Sequence, residues 1–409
     1  MNVLLLGNGF DLNYKLPTKY INFLNTVNFL STLFSLDGHS VGEIFGAQSL
    51  QLVDKDISNS YKAYQEIYDR IPLASEAVEK LTALASDNLL YGFLHKSYNK
   101  DIGWIDFEKE ISAIIRAFVE FLQEESPEFE GKNHPMCVVD RVIIAFFNFL
   151  TKQSTPGFLG YGCGVVNDEY VMEYPHGSGN KVIDKEKIIH ELEKQLQELS
   201  DGLQIYLEYF VEKVVVESNK NGLLQQFPAL MPADKVITFN YTNTYEQVYH
   251  NRKVLHIHGD LDKKIVLGVN PDEADEFDTI DISFLKFKKY YQRVLYHTDI
   301  DFLKWIYEEK GSAQLVVMGH SLDVTDKDII MQVFGRARNI TILYFNEDNE
   351  ASLIANLIKI YGKIGFDNLR VEKHLRFLPQ TAKYDYFAED RDKKKAEEDG
   401  RILRGVLRL

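Results

Sequence analysis

The first nine residues constrain the fold more than any other part of the chain. The apolar run V-L-L-L at residues 3–6 leads directly into Gly7, Asn8 and Gly9, a pattern typical of a strand buried in a parallel sheet and followed by a tight turn. Glycine has no Cβ, so such a turn can approach a ligand closely. A helical pattern follows residues 16–18, and a helix N-terminus after a glycine turn favours phosphate binding. The working hypothesis is therefore nucleotide binding.

The turn is not a complete dinucleotide-binding motif. The pattern G-x-G-x-x-G requires glycine at position 12, where this sequence has Leu12. Gly7 and Gly9 alone leave two interpretations open, a ligand-binding loop and a plain tight turn.

Composition excludes several classes of protein. A chain of 409 residues is long enough for two domains or for one sheet domain with a large insertion. Its net charge of −15 argues against general nucleic-acid binding, which needs a basic surface. With only Cys137 and Cys163, neither a four-cysteine zinc site nor a secreted disulfide framework is expected. The sequence shows no signal-peptide pattern and no apolar run of ~20 residues, so we expect a cytoplasmic protein without a membrane anchor.

Strand and helix patterns alternate in the second half of the chain. Strand patterns cover residues 3–6, 235–239, 254–258, 264–267, 314–318 and 340–345, and helical patterns cover residues 244–251, 284–309, 326–337 and 352–361. This alternation predicts a parallel sheet with right-handed crossovers.

The middle of the chain has helical spacing, at residues 61–71, 74–98, 107–124, 138–152 and 183–218. The predicted fold is α/β: a Rossmann-like parallel-sheet domain of residues 1–36 and 226–385, interrupted by a large α-helical insertion at residues 37–225. The glycine-bearing segment 156–181 is expected to be a flexible loop, with a functional lid as the alternative. Residues 386–409 carry both charge signs and are expected to form a solvated, charged C-terminal tail.

Polar residues stand at three of the predicted strand ends, where open α/β sheets bind their ligands. They are Asn240 and Thr242, then His258 and Gly259, and then Gly319, His320 and Ser321. Other interpretations stay open: Asn240, Thr242 or Asn243 as a helix cap, His258 as a hydrogen-bonded turn residue, and an ordinary turn at residues 319–321. Thr325 is expected to cap the helix that follows, with Asp328 completing a capping box.

His258 has a side chain suited to proton transfer, because a histidine pKa of ~6.5 fits a general base at neutral pH. Strand alternation places His256 on the same face. No third ligand at metal-binding spacing follows the two histidines, so no metal site is predicted. Residues 104–108 are expected to serve packing and capping.

Taken in order, the motifs at the four strand ends are more specific than any one of them. The chain resembles the AbiH family of bacteriophage abortive-infection proteins, and the resemblance spans most of residues 1–365. It rests on G-N-G-F-D at 7–11, L-P-T at 16–18, W-I-D-F-E at 104–108, F-N-Y-T at 239–242, H-I-H-G at 256–259 and G-H-S-L at 319–322.

More distantly, the order of the motifs is similar to that of sirtuin-like NAD-binding domains. This similarity implies that Asn240 is the active-site asparagine and that His258 is the base that engages the nicotinamide ribose. The contacts to NAD that it implies are Gly7, Asn8, Gly9, Phe10, Asp11, Thr242, Gly259, Gly319, His320 and Ser321, with no metal.

Three departures from sirtuins limit the expected activity. Thr242 replaces an aspartate, His320 replaces a residue that is usually not histidine, and the zinc module is missing. Without the zinc module there is no structural basis for protein deacetylation, whereas cleavage of the cofactor does not require it. The function expected is anti-phage defence by binding and hydrolysing NAD or a related nucleotide, and the alternative is a non-catalytic nucleotide-binding sensor. The expected partners are the nucleotide, a phage-derived trigger and further copies of the chain.

Overall fold

The computed structural model of the protein describes residues 1–32, 40–50, 54–97, 104–123, 143, 146–152, 164–173, 181–227, 230, 233–251, 253–269, 282–308, 313–380 and 386–387. The strands, in chain order, are β1 (Asn2–Leu6), β2 (Leu150–Lys152), β3 (Gly164–Val166), β4 (Val171–Glu173), β5 (Lys181–Ile183), β6 (Lys235–Thr238), β7 (Val254–His256), β8 (Ala313–Met318), β9 (Ala337–Tyr344) and β10 (Arg376–Pro379).

The α-helices are α1 (Gly9–Asn13), α2 (Tyr20–Ser31), α3 (Val41–Leu50), α4 (Lys55–Tyr68), α5 (Ser75–Asp87), α6 (Leu89–Ser97), α7 (Trp104–Gln123), α8 (Lys185–Leu207), α9 (Lys213–Lys220), α10 (Thr244–Tyr249), α11 (Lys289–Tyr296), α12 (Ile300–Glu308), α13 (Lys327–Arg336) and α14 (Glu347–Glu372). A π-helical turn, Glu208–Glu212, joins α8 to α9, and 3-10 turns cover Asp168–Tyr170, Ile282–Phe287 and Val324–Asp326.

The central sheet is six-stranded, in the order β10-β9-β8-β1-β6-β7, and every pair of neighbours is parallel. When the six strands are numbered in chain order and read from the β7 edge, the order is 3-2-1-4-5-6. This is the order of the common doubly wound α/β sheets. Leu6 of β1 is paired with Thr238 of β6 and with Met318 of β8. The prediction that residues 3–6 and 235–239 share one sheet is therefore confirmed. The strand order reverses between β1 and β8, and such switch points bind ligands in open sheets.

Strand β1 is buried on both faces, as its apolar run predicts. Leu4 and Leu6 belong to a hydrophobic cluster that also contains core residues of α2, α8 and α9. Val3 and Leu5 belong to a second cluster, shared with α12, α13 and α14. Helices of the insertion thus cover one face of the sheet and share a core with it, while the crossover helices cover the other face.

The insertion is not helical throughout. Strands β2 and β3 pair antiparallel, as do β4 and β5. The helix predicted at 138–152 is therefore wrong at β2. The loop predicted at 156–181 is wrong at β3 and β4 and at the first residue of β5. Asn148 has a φ of 60°, a left-handed conformation that asparagine tolerates and that ends a helix. The rest of these two segments, residues 138–142, 144–145, 156–163 and 174–180, lies outside the described residues.

Several predicted elements of the sheet domain also change. Residues 264–267 do not form a strand, because the turn at Gly259 reverses the chain and the Val266 N–H donates to the His258 carbonyl at 2.7 Å. The helix predicted at 284–309 is broken into a 3-10 turn, α11 and α12, with His297 at a φ of 56°. Strand β10 was not predicted. The tail prediction fails at Tyr386 and Phe387, which are buried, and residues 388–409 lie outside the described residues.

Two glycine turns meet backbone to backbone at the switch point. The Gly7 N–H donates to Met318 O at 3.1 Å and the Gly9 N–H donates to Gly319 O at 2.8 Å. A Cβ on Gly9 would lie 2.7 Å from Gly319 Cα. Gly319 has a φ of +71°, and a Cβ on it would lie 2.4 Å from the Phe10 nitrogen. Neither turn can carry a side chain at these positions.

Gly319→Ala should destabilise the protein by roughly 3 kcal/mol or more, because the substitution adds a backbone clash to the cost of a positive φ. Gly335→Ala is the matched control: Gly335 is exposed in the last turn of α13, and nothing lies within 4 Å of its Cβ position. That change should stabilise the protein by about 0.4–1 kcal/mol, because alanine restricts the unfolded chain more than glycine does. Urea denaturation of the two variants measures both effects, and equal stability of the variants would contradict the close contact between the turns.

Candidate functional site

A cleft of about 900 Å³ opens at the switch point. This volume lies at the upper end of the range for small-molecule sites, about 300–1,000 Å³. The cleft brings together most of the residues that the motifs predicted, namely Gly7, Asn8, Gly9, Asp11, Asn240, Thr242, His258, Gly319, His320 and Ser321. Residues as far apart in sequence as Gly7 and Ser321 therefore form one concave surface.

Phe10 and Gly259 do not line the cleft. Phe10 is 1% exposed and packs edge-on against Tyr14, with the ring centroids 5.3 Å apart. Gly259 has a φ of +80°, and a Cβ there would lie 2.3 Å from the Lys264 carbonyl oxygen. The structure gives Phe10 a core position and Gly259 a turn position in place of the cofactor contacts expected for them.

The Gly7 and Gly9 amides do not form the expected phosphate cradle. Both N–H groups already donate to carbonyl oxygens of the β8 turn, and α1 after them is only five residues long. Glycine is required at positions 7 and 9 because a Cβ there would clash with the backbone of the β8 turn. Asn8 Oδ1 accepts a hydrogen bond from Thr18 Oγ1 at 2.5 Å, which ties the turn to the start of the second helix.

Asp11 and Thr242 form a buried pair beside Asn240. Thr242 Oγ1 donates to Asp11 Oδ2 at 2.6 Å. Burial raises the pKa of Asp11 to about 6, although hydrogen bonds from Thr242, Thr244 and Asn240 oppose the shift. The N-cap of α10 is Asn243, so the cap interpretation holds for Asn243 and is wrong for Asn240 and Thr242.

His258 is buried in the cleft wall and bound to Asp326. Its Nε2 lies 3.1 Å from Asp326 Oδ1, and its Nδ1 has no hydrogen-bond partner among the described residues. Burial and the charge of Lys289 lower the pKa of His258 to about 4, against the opposing effect of Asp326. His258 is therefore neutral at pH 7 and holds a free lone pair.

His320 is held at both ring nitrogens. Its Nδ1 accepts a hydrogen bond from the Leu322 N–H at 2.8 Å, and its Nε2 lies 3.5 Å from Asp326 Oδ2. The ring of Phe239 packs against both histidines, with centroid distances of 5.3 Å to His258 and 4.1 Å to His320. Unlike His258, His320 has no lone pair to offer a ligand in this arrangement.

Three charged residues of the cleft were missed by the motifs. Lys289 Nζ lies 3.0 Å from Asp326 Oδ1 and 2.7 Å from Glu108 Oε2, and all three side chains are buried. Glu108 was expected to serve packing, and Asp326 was placed in a helix that Thr325 would cap. Instead Asp323 Oδ1 accepts from the Thr325 N–H and Asp328 pairs with Arg293. The W-I-D-F-E motif around Glu108 was the one available signal.

His256 lies apart from the cleft. Strand β7 ends at His256, so the predicted strand to residue 258 is wrong, and the alternation argument does not reach His258. His256 Nδ1 is 2.9 Å from the Asn240 carbonyl oxygen and its Nε2 is 2.6 Å from Glu246 Oε1. Across the described ranges, no three His, Cys, Asp or Glu side chains form a group that could hold a metal ion.

Comparison with known proteins identifies the family. The family described as "Bacteriophage abortive infection AbiH" matches residues 3–346. The chain belongs to the AbiH family. Membership implies an anti-phage, abortive-infection role. No curated protein and no solved structure matches the chain. In the part of this AbiH chain that the structure describes, no helix has the length and apolar character needed to cross a membrane.

A further buried carboxyl group of this AbiH chain, that of Glu212, lies close enough to Asp11 for their charges to interact. Glu212 ends the π-helical turn, a feature often found near functional sites, and its Oε2 accepts a hydrogen bond from the Asn243 N–H at 3.0 Å. Burial, together with the charges of Asp11 and Glu246, raises the pKa of Glu212 to about 7, against the opposing hydrogen bond from the Asn243 N–H. The native state therefore holds this proton more tightly than the unfolded chain does, whose glutamates titrate near ~4.3.

The raised pKa predicts that Glu212 weakens the fold as pH rises from about 4.5 through about 7. Glu212→Gln keeps an acceptor for the Asn243 N–H and removes the buried charge. It should stabilise the protein at pH 8 by on the order of 2 kcal/mol and change little at pH 4. Urea denaturation at both pH values tests this, with Glu217→Gln, in the exposed pair with Lys220, as the control. A gain that does not depend on pH would contradict the titration.

Proposed function

We propose that this protein cleaves the N-glycosidic bond of NAD, or of a related nucleotide, at a sirtuin-like site during phage infection. The observation that carries the proposal is that Asn240 and a neutral His258 line one cleft with both glycine turns, at the switch point of a parallel sheet. The proposal combines the anti-phage role of the family with the chemistry available in this cleft.

His258 is the general base in this proposal. Loss of nicotinamide leaves an oxocarbenium-like ribose, and a base assists by taking a proton from a ribose hydroxyl or from the attacking water. The unpartnered Nδ1 of His258 suits this role, since Nε2 already faces Asp326. The low pKa of His258 keeps the imidazole neutral before the substrate binds.

Asn240 and Asp11 support the same assignment, because they follow the carboxyl ends of two neighbouring parallel strands, β6 and β1. Asn240 positions the water or the ribose, as the matching asparagine of sirtuin-like domains does. Those domains carry an aspartate at the position of Thr242, and here Asp11 Oδ2 accepts a hydrogen bond from Thr242 Oγ1 at 2.6 Å. The carboxyl group of Asp11 thus lies next to Thr242, the position at which sirtuin-like domains carry an aspartate.

Another part of the cleft wall suits the other half of a dinucleotide. At the end of β9 and along α14 the cleft is lined by Phe345, Asn349, Ser352 and Lys359. The ring of Phe345 is 72% exposed. An open aromatic face can stack on a base, and a lysine can bind a phosphate.

One observation favours the sensor as a second candidate. Glu108 and Leu207 bring helices of the insertion into the cleft wall, and Glu108 is ion-paired with Lys289 on α11. A ligand in the cleft would touch both the sheet and the insertion, so occupancy can bias how the insertion packs. In that case the nucleotide binds and is not cleaved.

Asn240→Ala and His258→Ala should each lower nicotinamide release from NAD by about 100-fold or more, the usual scale for loss of a general base or a positioning group. Both variants should unfold within a few degrees of the wild type and should lose protection of cells against phage. His190→Ala, on the exposed face of α8, is the control and should retain both activities. Chromatographic measurement of nicotinamide and a plaque assay provide the readouts.

Two outcomes would decide against the enzyme. If the wild type binds NAD in calorimetry and releases no nicotinamide, with protection intact, the sensor is the better account. If protection survives replacement of both Asn240 and His258, the cleft does not carry the anti-phage activity.

A further inference from the structure

Asp326 is the point where the charged residues of the cleft converge. It ends the 3-10 turn Val324–Asp326 and is buried. Oδ1 lies 3.1 Å from His258 Nε2 and 3.0 Å from Lys289 Nζ, and Oδ2 lies 3.5 Å from His320 Nε2. One carboxylate therefore faces two imidazoles and one ammonium group.

The neighbours of Asp326 keep it ionised. Burial alone would raise its pKa, but the Lys289 charge and the hydrogen bonds from His258 and His320 hold the pKa of Asp326 well below its usual range. An ionised carboxylate can only accept hydrogen bonds. Each imidazole nitrogen that faces Asp326 must then carry a proton.

The remaining ring nitrogens fit this assignment of protons. The Leu322 N–H donates to His320 Nδ1, so this nitrogen holds the lone pair and Nε2 carries the proton. For His258 the same tautomer leaves the lone pair on Nδ1, the buried atom without a partner among the described residues. Phe239 packs against both rings and restricts their rotation.

We propose that Asp326 is a positioning residue that holds His258 and His320 together in the Nε2–H tautomer and so makes Nδ1 of His258 the proton-accepting atom. Lys289 keeps Asp326 charged, and Glu108 balances Lys289. The catalytic meaning of this arrangement rests on the proposed function, whereas the tautomers themselves do not depend on it. The analogous aspartate of a serine protease triad acts in the same way, because its replacement by asparagine leaves the histidine in the wrong tautomer.

The wild-type protein provides the first test. ¹⁵N-histidine NMR, with resonances assigned from the His258→Gln and His320→Gln variants, should show the ring proton on Nε2 and the lone pair on Nδ1 for both histidines. An Nδ1–H tautomer or a doubly protonated ring for His258 would overturn the proposal. This measurement needs no enzymatic activity, and the sample that decides it is the wild-type protein.

Asp326→Asn and Glu108→Gln form a matched pair, because both remove one carboxylate from the same lysine. Asp326→Asn should convert His258 to a mixture of tautomers, since an amide can donate as well as accept. Glu108→Gln should keep the Nε2–H signal of both histidines. An identical change in the two variants would mean that Asp326 only neutralises Lys289, and the positioning role would be wrong.

Turnover adds a readout that separates this inference from the proposed function. If the protein releases nicotinamide, Asp326→Asn should lower kcat by about 10²–10⁴-fold with little change in KM. If the wild type shows the expected tautomers and releases no nicotinamide, the positioning role stands and the glycohydrolase proposal fails. If nicotinamide is released at the wild-type rate by Asp326→Asn, the positioning role fails and the glycohydrolase proposal stands.

Discussion

The contact between two glycine turns holds the site together. The Gly9 N–H donates to Gly319 O at 2.8 Å, and neither glycine has room for a Cβ. This contact joins the ends of β1 and β8, the two strands between which the sheet order reverses. The side chains that follow these strands, Asp11 on one side and His320 on the other, can share a cleft only because the turns meet so closely.

Charged side chains of the cleft are buried, and burial requires that each charge has a partner of opposite sign. Lys289 is 2% exposed and contacts both Glu108 and Asp326. A buried charge without a partner costs several kcal/mol, whereas a balanced group costs far less. Lys289 therefore requires carboxylates beside it, and one of these carboxylates is placed to hold His258 and His320. The same burial that makes the group costly makes His258 neutral.

The insertion is part of the site and of the core. Leu4 and Leu6 of β1 share a hydrophobic cluster with helices α2, α8 and α9, and Glu108 of α7 reaches the cleft. The anti-phage role of the AbiH family and the position of these helices fit together, because a change in how the insertion packs would reach Glu108 and Lys289 directly. Both the enzyme and the sensor would use this connection.

The sequence by itself determined three strands of the central sheet, the glycine turns that follow two of them, and the family. Apolar runs and turns are local patterns, so β1, β6 and β8 were predicted within one or two residues, and the polar residues after them were found. It could not give the strand order, the pairs β2/β3 and β4/β5, or β10, because pairing depends on residues far apart in the chain.

Only the tertiary structure decided which side chains meet at the site. Asp326 looked like part of a helix and Glu108 like a packing residue, since a buried ion pair leaves no periodic signal. His256 and His258 looked equivalent by alternation, yet β7 ends between them, so one binds Glu246 and the other Asp326. Charge partners and burial are properties of positions in space, and those positions exist only once the sheet and the insertion have packed together.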